Sequence, residues 1–290
     1  MKLQILYFSG TGNTDYVARY LARHLAHEIP QPALEIDVRP IEWQPADRVS
    51  GFEILAVGFP VYAAASPSLF QDYLDELPAG EGRGAFAFCT KGAYAGGAVR
   101  RTLLRLAARS YVPLGGGSVI MPGTDGLSMI SRDSWLAQKA LAKDYDHLQD
   151  ADRLIEDMTA TIGQLLRGHS AETLRSPRAP GARATWLDRL WAWCYRLAEN
   201  YTRDRLYADE KCTGCGLCER ICPVENIQLS NGQPQFASQC MLCLRCLHAC
   251  PQEAIQIGKL TAGKFRWKGP KGNFQPLEMR HGQGRADPPG

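Results

Sequence analysis

Eight cysteines between Cys212 and Cys250 constrain this chain more than any other feature. Cys212, Cys215, Cys218 and Cys222 are followed by Pro223. Cys240, Cys243, Cys246 and Cys250 are followed by Pro251. Both runs read C-x2-C-x2-C-x3-C-P, and Ile227-Gln228-Leu229 recurs as Ile255-Gln256-Ile257 at the same 28-residue offset. The segment is an internal duplication. Three cysteines at this spacing wrap a tight loop around three corners of an iron–sulfur cubane. The fourth begins a helical turn that points away and serves the other site. This reading assigns Cys212, Cys215, Cys218 and Cys250 to one [4Fe–4S] cluster, and Cys240, Cys243, Cys246 and Cys222 to a second. The prolines end the helical turns. Gly214 and Gly216 let backbone N–H groups approach the first cluster. Structural zinc also takes four cysteines, but zinc motifs do not usually carry this duplicated spacing with both prolines. His248 lies inside the second motif without being needed as a ligand, and is expected at the surface, beside an electron exit.

Only two other cysteines occur, Cys89 and Cys194, in a chain of 290 residues. Such clustering, with no export signal in view, reads as metal ligation rather than a disulfide scaffold. The opening apolar run, Leu3 to Phe8, is too short for a signal-peptide core, and no later run is long enough to span a membrane. A cytoplasmic location is expected. The net charge of +3 does not advertise nucleic-acid binding.

The length allows two domains. Leu3–Phe8, Leu34–Val38, Phe52–Phe59, Ala85–Cys89 and Ser118–Met121 read as strands, with helices between them. The first helix covers Gly12 to Glu28, with Val17, Leu21 and Leu25 on one face. A second covers Ser66–Leu77. A third runs through Val99, Leu103 and Leu106 and is stopped by Gly115–Gly117. A long last helix carries Leu141, Leu148, Ile155 and Ile162 at seven-residue spacing. Alternating strands and helices predict an α/β fold: a flavodoxin-like, doubly wound, five-stranded parallel sheet with its ligand crevice at the carboxyl ends of the strands. The expected divisions are 1–168 for this domain, 169–206 for a linker and Trp-rich helix, 207–258 for the cysteine domain and 259–290 for a basic Gly/Pro-rich tail. The helix from Trp186 to Tyr207 carries Leu187, Leu190, Trp191, Cys194, Leu197 and Tyr201 on one face, widened by Trp186 and Trp193, and is expected to pack between domains. A membrane-surface role is disfavoured because Asp188 and Glu199 share its polar face. Cys89 and Cys194 are read as packing residues.

After the first strand comes Phe8-Ser9-Gly10-Thr11-Gly12-Asn13-Thr14. A strand end, a Gly-rich turn and a helix start make a phosphate site from first-turn N–H groups and the helix dipole. Ser9, Thr11 and Thr14 add hydroxyls, Asn13 an amide, and Gly12 closes the turn. A P-loop lysine and the G-x-G-x-x-G fingerprint are both absent, so a monophosphate, hence FMN, fits best.

This loop resembles the flavodoxin phosphate loop. With a bacterial 2[4Fe–4S] ferredoxin-like α+β domain behind it, the chain resembles the fused flavodoxin–ferredoxin family of iron–sulfur flavoproteins, or EFR-type ferredoxins, over about residues 1–125 and 207–258. The resemblance implies that two further loops flank the isoalloxazine ring. One is Gly58-Phe59-Pro60-Val61-Tyr62, from which Pro60, Val61 and Tyr62 are site candidates. The other is Cys89 to Gly97, from which Thr90, Lys91, Gly92, Tyr94, Gly96 and Gly97 are candidates. Tyr62 and Tyr94 are the aromatic residues for stacking on the ring. Residues 58–67 carry no charge and residues 89–98 only Lys91, so a flavin potential above that of a typical flavodoxin is expected.

Clusters move single electrons and a flavin moves two, so such a chain is expected to couple one-electron to two-electron traffic. No acid–base or nucleophilic constellation stands out, and no catalytic residue is assigned. Three functions compete: an electron-transfer module, an FMN-dependent oxidoreductase reducing a small molecule such as a quinone or free flavin, and a redox or oxygen sensor. Ala63-Ala64-Ala65 leaves room for a small molecule over the ring. A ferredoxin or partner oxidoreductase is the expected redox partner, and a homo-oligomer is allowed. Lys264, Arg266, Lys268 and Lys271 are basic residues that attract an acidic ferredoxin or, on the blander reading, sit on a solvated tail.

Overall fold

The structure is a computed structural model that describes residues 1–176 and 186–276. Most of the expected linker, the end of the tail and the Cys194 side chain lie outside the described residues.

Alternation along the strands sets the first layer boundary. In β1 (Lys2–Tyr7) the side chains of Leu3, Ile5 and Tyr7 join one apolar cluster, while Leu6 and the following Phe8 join another. Successive side chains point to opposite faces, so a strand with apolar side chains on both faces must be covered on both. Helix α1 (Asn13–Glu28) covers the first face, with Val17, Leu21 and Leu25 buried. Strand β2 (Glu35–Pro40) flanks β1, and β3 (Ile54–Pro60) lies on its other side. Helix α2 (Ser68–Glu76) buries Phe70 and Leu74 on the second face. Strand β4 (Gly84–Lys91), helix α3 (Ala98–Ala108) and strand β5 (Val112–Ile120) complete the sheet. Its order is β2-β1-β3-β4-β5, and all four pairings are parallel. This is the flavodoxin-like order, with the crevice at the carboxyl ends of the strands.

Two helical expectations are corrected. Gly115–Gly117 do not stop a helix; α3 ends at Ala108 and the glycines lie inside β5. A Cβ on Gly116 would overlap the Ala87 carbonyl, so the strand needs glycine there for close approach to β4. The long last helix is also broken. Helices α4 (Thr124–Leu127) and α5 (Trp135–Leu141) precede α6 (Gln149–Leu166), which buries Ile155 and Ile162 while Leu141 stays exposed.

Helix α7 (Trp186–Arg203) leads into a small unit. There β6 (Leu206–Ala208) pairs antiparallel with β9 (Ile255–Ile257), and β7 (Ile227–Ser230) pairs with β8 (Gln233–Phe236). The turns α8 (Leu217–Arg220) and α9 (Arg245–Ala249) occupy the same place in the two repeats. On the face of α7 read as packed, Trp186, Leu190, Trp193, Leu197 and Tyr201 are exposed, whereas Asp188 is buried; the side chains of Leu187, Trp191 and Cys194 lie outside the described residues. The solvated tail is corrected too. Phe265 and Trp267 are buried in the first cluster of the large sheet, and the Phe265 N–H donates to the Ile130 carbonyl. Arg266 donates to the Ile255 and Thr261 carbonyls, Lys268 to the His248 carbonyl, and Lys271 pairs with Asp146 at 2.6 Å. Residues 264–274 are therefore a strap across both units, and three of the four cations meant for a partner are engaged within the chain.

Candidate functional site

Loops after β1, β3 and β4 meet at the carboxyl edge of the sheet. The Val61 N–H donates to the Thr90 carbonyl at 2.9 Å, and Thr14 Oγ1 lies 2.8 Å from Thr90 Oγ1, both buried. Ser9 Oγ accepts the Gly12 N–H at 3.2 Å, and Gly12 takes a left-handed φ of 96° to start α1. A fourth loop, after β5, joins them and was not legible in the sequence. Thr11 Oγ1 donates to Thr124 Oγ1 at 3.1 Å, and Asn13 Nδ2 to the Pro122 carbonyl at 2.9 Å. Gly92 faces Gly123, and the Met121 N–H donates to the Lys91 carbonyl. Pro60 ends β3, and the half-buried Tyr62 reaches back over Gly10.

The buried N–H groups of Gly10 and Thr11 have no hydrogen-bond partner among the described residues. Buried donors without a partner are costly, and a pair of them beside a helix start suits an anion. These residues fit a phosphate.

Tyr62 to Ala65 form a two-residue hairpin, closed by the Tyr62–Ala65 pair of hydrogen bonds, with φ of 49° at Ala63 and 62° at Ala64. Such turns favour Gly or Asn. Alanine in both places is backbone strain at the site. Arg101 donates to the Ala64 carbonyl. Arg101 also pairs with Asp188 at 3.2 Å. Asp188 accepts the Tyr94 hydroxyl at 2.5 Å and the Gly97 N–H at 3.3 Å. Burial pushes the Asp188 carboxyl up, but Tyr94, Arg101 and the Gly97 N–H outweigh it and hold the group below its ordinary value. A Cβ on Gly96 would meet Asp188 Oδ1 at 2.6 Å, so this loop and α7 touch directly. Asp125 acts on both Tyr62 and Tyr195, whose phenols burial pushes upward. Charge also reaches this region from outside the two loops: Asp188 from α7, paired with Arg101, and Asp125 from α4.

The thiols surround two hollows. Cys212, Cys215, Cys218 and Cys250 line one of about 350 Å³ that opens to solvent. Cys222, Cys240, Cys243 and Cys246 line another of about 420 Å³. Both are built alike. The Leu242 N–H donates to Cys240 Sγ at 3.4 Å, the Asn226 N–H to Cys222 Sγ at 3.2 Å, and the Ala254 N–H to Cys250 Sγ at 3.3 Å. Burial pushes the Cys218 thiol up to about 11 and the Cys243 thiol up to about 12, so thiolates there need positive charge beside them. No three His, Cys, Asp or Glu side chains among the described residues close around a single ion point. Four thiols around each hollow match the ligand set of a cubane. Cys89 is fully buried, and burial pushes its thiol up to about 12, as for an inert core residue.

The second hollow lies against the phosphate loop. A Cβ on Gly10 would meet the Cys243 carbonyl at 2.8 Å, and Met241, Val224 and Cys243 pack into the apolar layer of α2 and α3. Arg203 of α7 donates to the Cys240 carbonyl at 3.0 Å. The expected surface position of His248 is corrected: it is 2% exposed. Its Nδ1 accepts the Trp267 N–H at 3.0 Å and its Nε2–H donates to the Thr124 carbonyl at 3.1 Å. Burial lowers its pKa to about 3, and it is a neutral linker of strap, motif and fourth loop. The Trp267 indole N–H donates to Asn13 Oδ1 at 3.1 Å, and the Phe274 ring lies on Gly12. The aromatic residues of the supposed tail were the signal for this strap, and the acid in the first turn of α7 was the signal for Asp188.

Residues 211–255 match the family model described as a 4Fe-4S dicluster domain. No curated protein matches the chain. Among solved structures, an archaeal flavodoxin is 19% identical over 56% of this chain and 99% of its own, with a TM-score of 0.41. The flavodoxin of Megasphaera elsdenii is 15% identical over 56% and 98%, with a TM-score of 0.39. The rubredoxin oxygen:oxidoreductase of Desulfovibrio gigas is 14% identical over 57% and 36%, with a TM-score of 0.42. The fold assignment here rests on the strand order itself.

Proposed function

We propose that the chain is an electron-transfer iron–sulfur flavoprotein, passing electrons between two [4Fe–4S] clusters and FMN and so coupling one-electron to two-electron partners. The observation that carries this reading is the contact of the Cys243 backbone with Gly10. It puts the second cysteine set and the phosphate loop side by side in one chain. When bound, four-iron clusters supply one-electron steps, and FMN takes two electrons and releases them singly.

Cys212, Cys215, Cys218 and Cys250 would hold an outer cluster. Cys215 is exposed there, which suits a redox partner. Cys222, Cys240, Cys243 and Cys246 would hold an inner one. Ser9, Thr11, Asn13 and Thr14, with the N–H groups of Gly10 and Thr11, would take the FMN phosphate. Tyr62, Thr90 and the loop from Gly92 to Gly97 would take the ring. Asp188, Arg101 and the Ala63–Ala64 turn fix the position of that loop.

A second reading is reduction of a small molecule such as a quinone. It is favoured by one observation, the exposed edge of Gly92, Ala93 and Tyr94 beside the Ala63 turn. Iron, acid-labile sulfide and heat-released flavin, measured after anaerobic purification, test the main reading. About eight irons and one FMN per chain are expected for two four-iron sites and one flavin site. Zinc in place of iron, or iron without flavin, contradicts it.

A further inference from the structure

The two repeats differ most at one place between their ligands. Leu217 precedes Cys218 in the first repeat, and Arg245 precedes Cys246 in the second, at the same offset. Leu217 is partly exposed, whereas Arg245 is 1% exposed and starts α9. Its guanidinium donates to the Ser9 carbonyl at 2.7 Å, the Gly10 carbonyl at 3.4 Å and the Ile221 carbonyl at 3.1 Å. It pairs with Glu42 at 2.6 Å and sits 5.4 Å from the centre of the Phe8 ring. A buried guanidinium is expensive unless nearly every N–H is used, and this one is held by two carbonyls of the phosphate loop, one of the first repeat and a carboxylate.

The two loop carbonyls have a geometric consequence. In a planar trans peptide the C=O and the following N–H point in opposite directions. Holding the Ser9 and Gly10 carbonyls toward Arg245 therefore turns the N–H groups of Gly10 and Thr11 away from it. Both are buried donors without a partner among the described residues. Successive N–H groups aimed one way make an anion cradle.

We propose that Arg245 is the positioning residue that joins the two cofactor sites. Reaching from between two inner cluster ligands, it sets the phosphate loop for FMN, and its charge raises the reduction potential of the inner cluster alone. This rests on the proposed function. The charge argument is Coulombic: reduction adds a negative charge to the inner site, and a buried cation beside Cys243 and Cys246 favours it. The outer repeat has leucine at this position and gains nothing. The neighbouring Glu42 moderates the effect, because it is the counter-charge bonded to the same guanidinium.

The test uses full-length protein carrying both clusters, with FMN titration and EPR-monitored potentiometry. A wild-type chain that holds eight irons but binds no flavin, or holds no iron, ends the functional reading before any variant is made. With that reading intact, Arg245→Leu is expected to bind FMN about tenfold more weakly. It is also expected to lower one cluster potential and leave the other unchanged. Arg245→Lys keeps the charge without the planar fork, so it is expected to keep the potential and lose flavin affinity. Should Arg245→Leu fail to fold, Glu42→Gln keeps the guanidinium and removes its counter-charge, and is expected to raise the same single potential. Wild-type flavin affinity and wild-type potentials in Arg245→Leu overturn the proposal, as does an unchanged pair of potentials in Glu42→Gln.

Discussion

The two halves of the cysteine duplication share ligand spacing and differ in the residues between the ligands. The outer half has Gly214 and Gly216 at its left-handed positions, Leu217 before its third cysteine, and the exposed Arg220 at the place His248 takes in the inner half. The inner half has Leu242 and Leu244 at left-handed φ of 53° and 57°, then Arg245, then the buried His248. Glycine reaches this conformation freely, whereas leucine pays about 1 kcal/mol or more. The strain is tolerated where Leu244 and Leu247 fill a core and Arg245 locks onto the phosphate loop. Ligand positions thus define what is bound, and the residues between them define where it is bound relative to the rest of the molecule.

The largest break in this comparison comes from one ligand in each half. Cys243→Ser is expected to lose flavin together with about half of the iron, because its loop lies on Gly10. Cys215→Ser is expected to lose iron and keep flavin. Iron and flavin per chain, measured anaerobically in both variants, distinguish the two. Equal flavin retention would erase the difference between inner and outer halves.

The strap is next in size. Trp267 is 2% exposed, and its backbone and indole N–H groups bond to His248 and Asn13. Trp267→Ala is expected to cost about 3–5 kcal/mol in denaturant unfolding of the apoprotein. A cost near zero would mean that residues 264–274 do not brace the inner half.

Exchanging the left-handed residues gives a smaller effect of opposite sign. A Cβ on Gly214 would meet the Gly232 carbonyl at 2.7 Å at a φ of 67°, so Gly214→Leu is expected to destabilise by about 2 kcal/mol. Leu242→Gly removes strain and is expected to stabilise by up to about 1 kcal/mol. Thermal midpoints that move the same way in both variants would contradict the strain argument.

The smallest effect concerns α7, which reaches the inner half through Arg203 and the flavin loop through Asp188. The folded carboxyl of Asp188 titrates below its ordinary value of 3.8. Its contribution is therefore full above that pH and is lost as pH falls from there through the folded value. Asp188→Asn is expected to lower stability near neutrality by this contribution, and so to flatten acid unfolding in that window. An acid-unfolding curve identical to wild type would remove Asp188 from the docking of α7.

Much of this arrangement was legible beforehand because it depends on local pattern. Alternating apolar strands gave the sheet, and cysteine spacing gave two ligand sets that the structure gathers around two hollows. The failures share another cause. Gly115–Gly117 looked like a helix stop because the close approach of Ala87 and Phe86 is a tertiary fact. Leu190 and Leu197 looked buried because periodicity finds an apolar face without saying what covers it. Arg245, Thr124 and Trp267 serve sites that lie more than a hundred residues away in sequence, and only the folded chain brings them together.

The central claim is that one chain contains the whole route between the exposed cysteine set and the flavin loop. The most direct measurement is the rate of flavin reduction after a light-driven donor reduces the clusters, followed anaerobically across a wide range of protein concentration. A rate that does not change with concentration is the predicted result, since Cys243 and Gly10 meet within one chain. A rate that rises in proportion to concentration would show that electrons reach the flavin of another molecule, and would contradict the account.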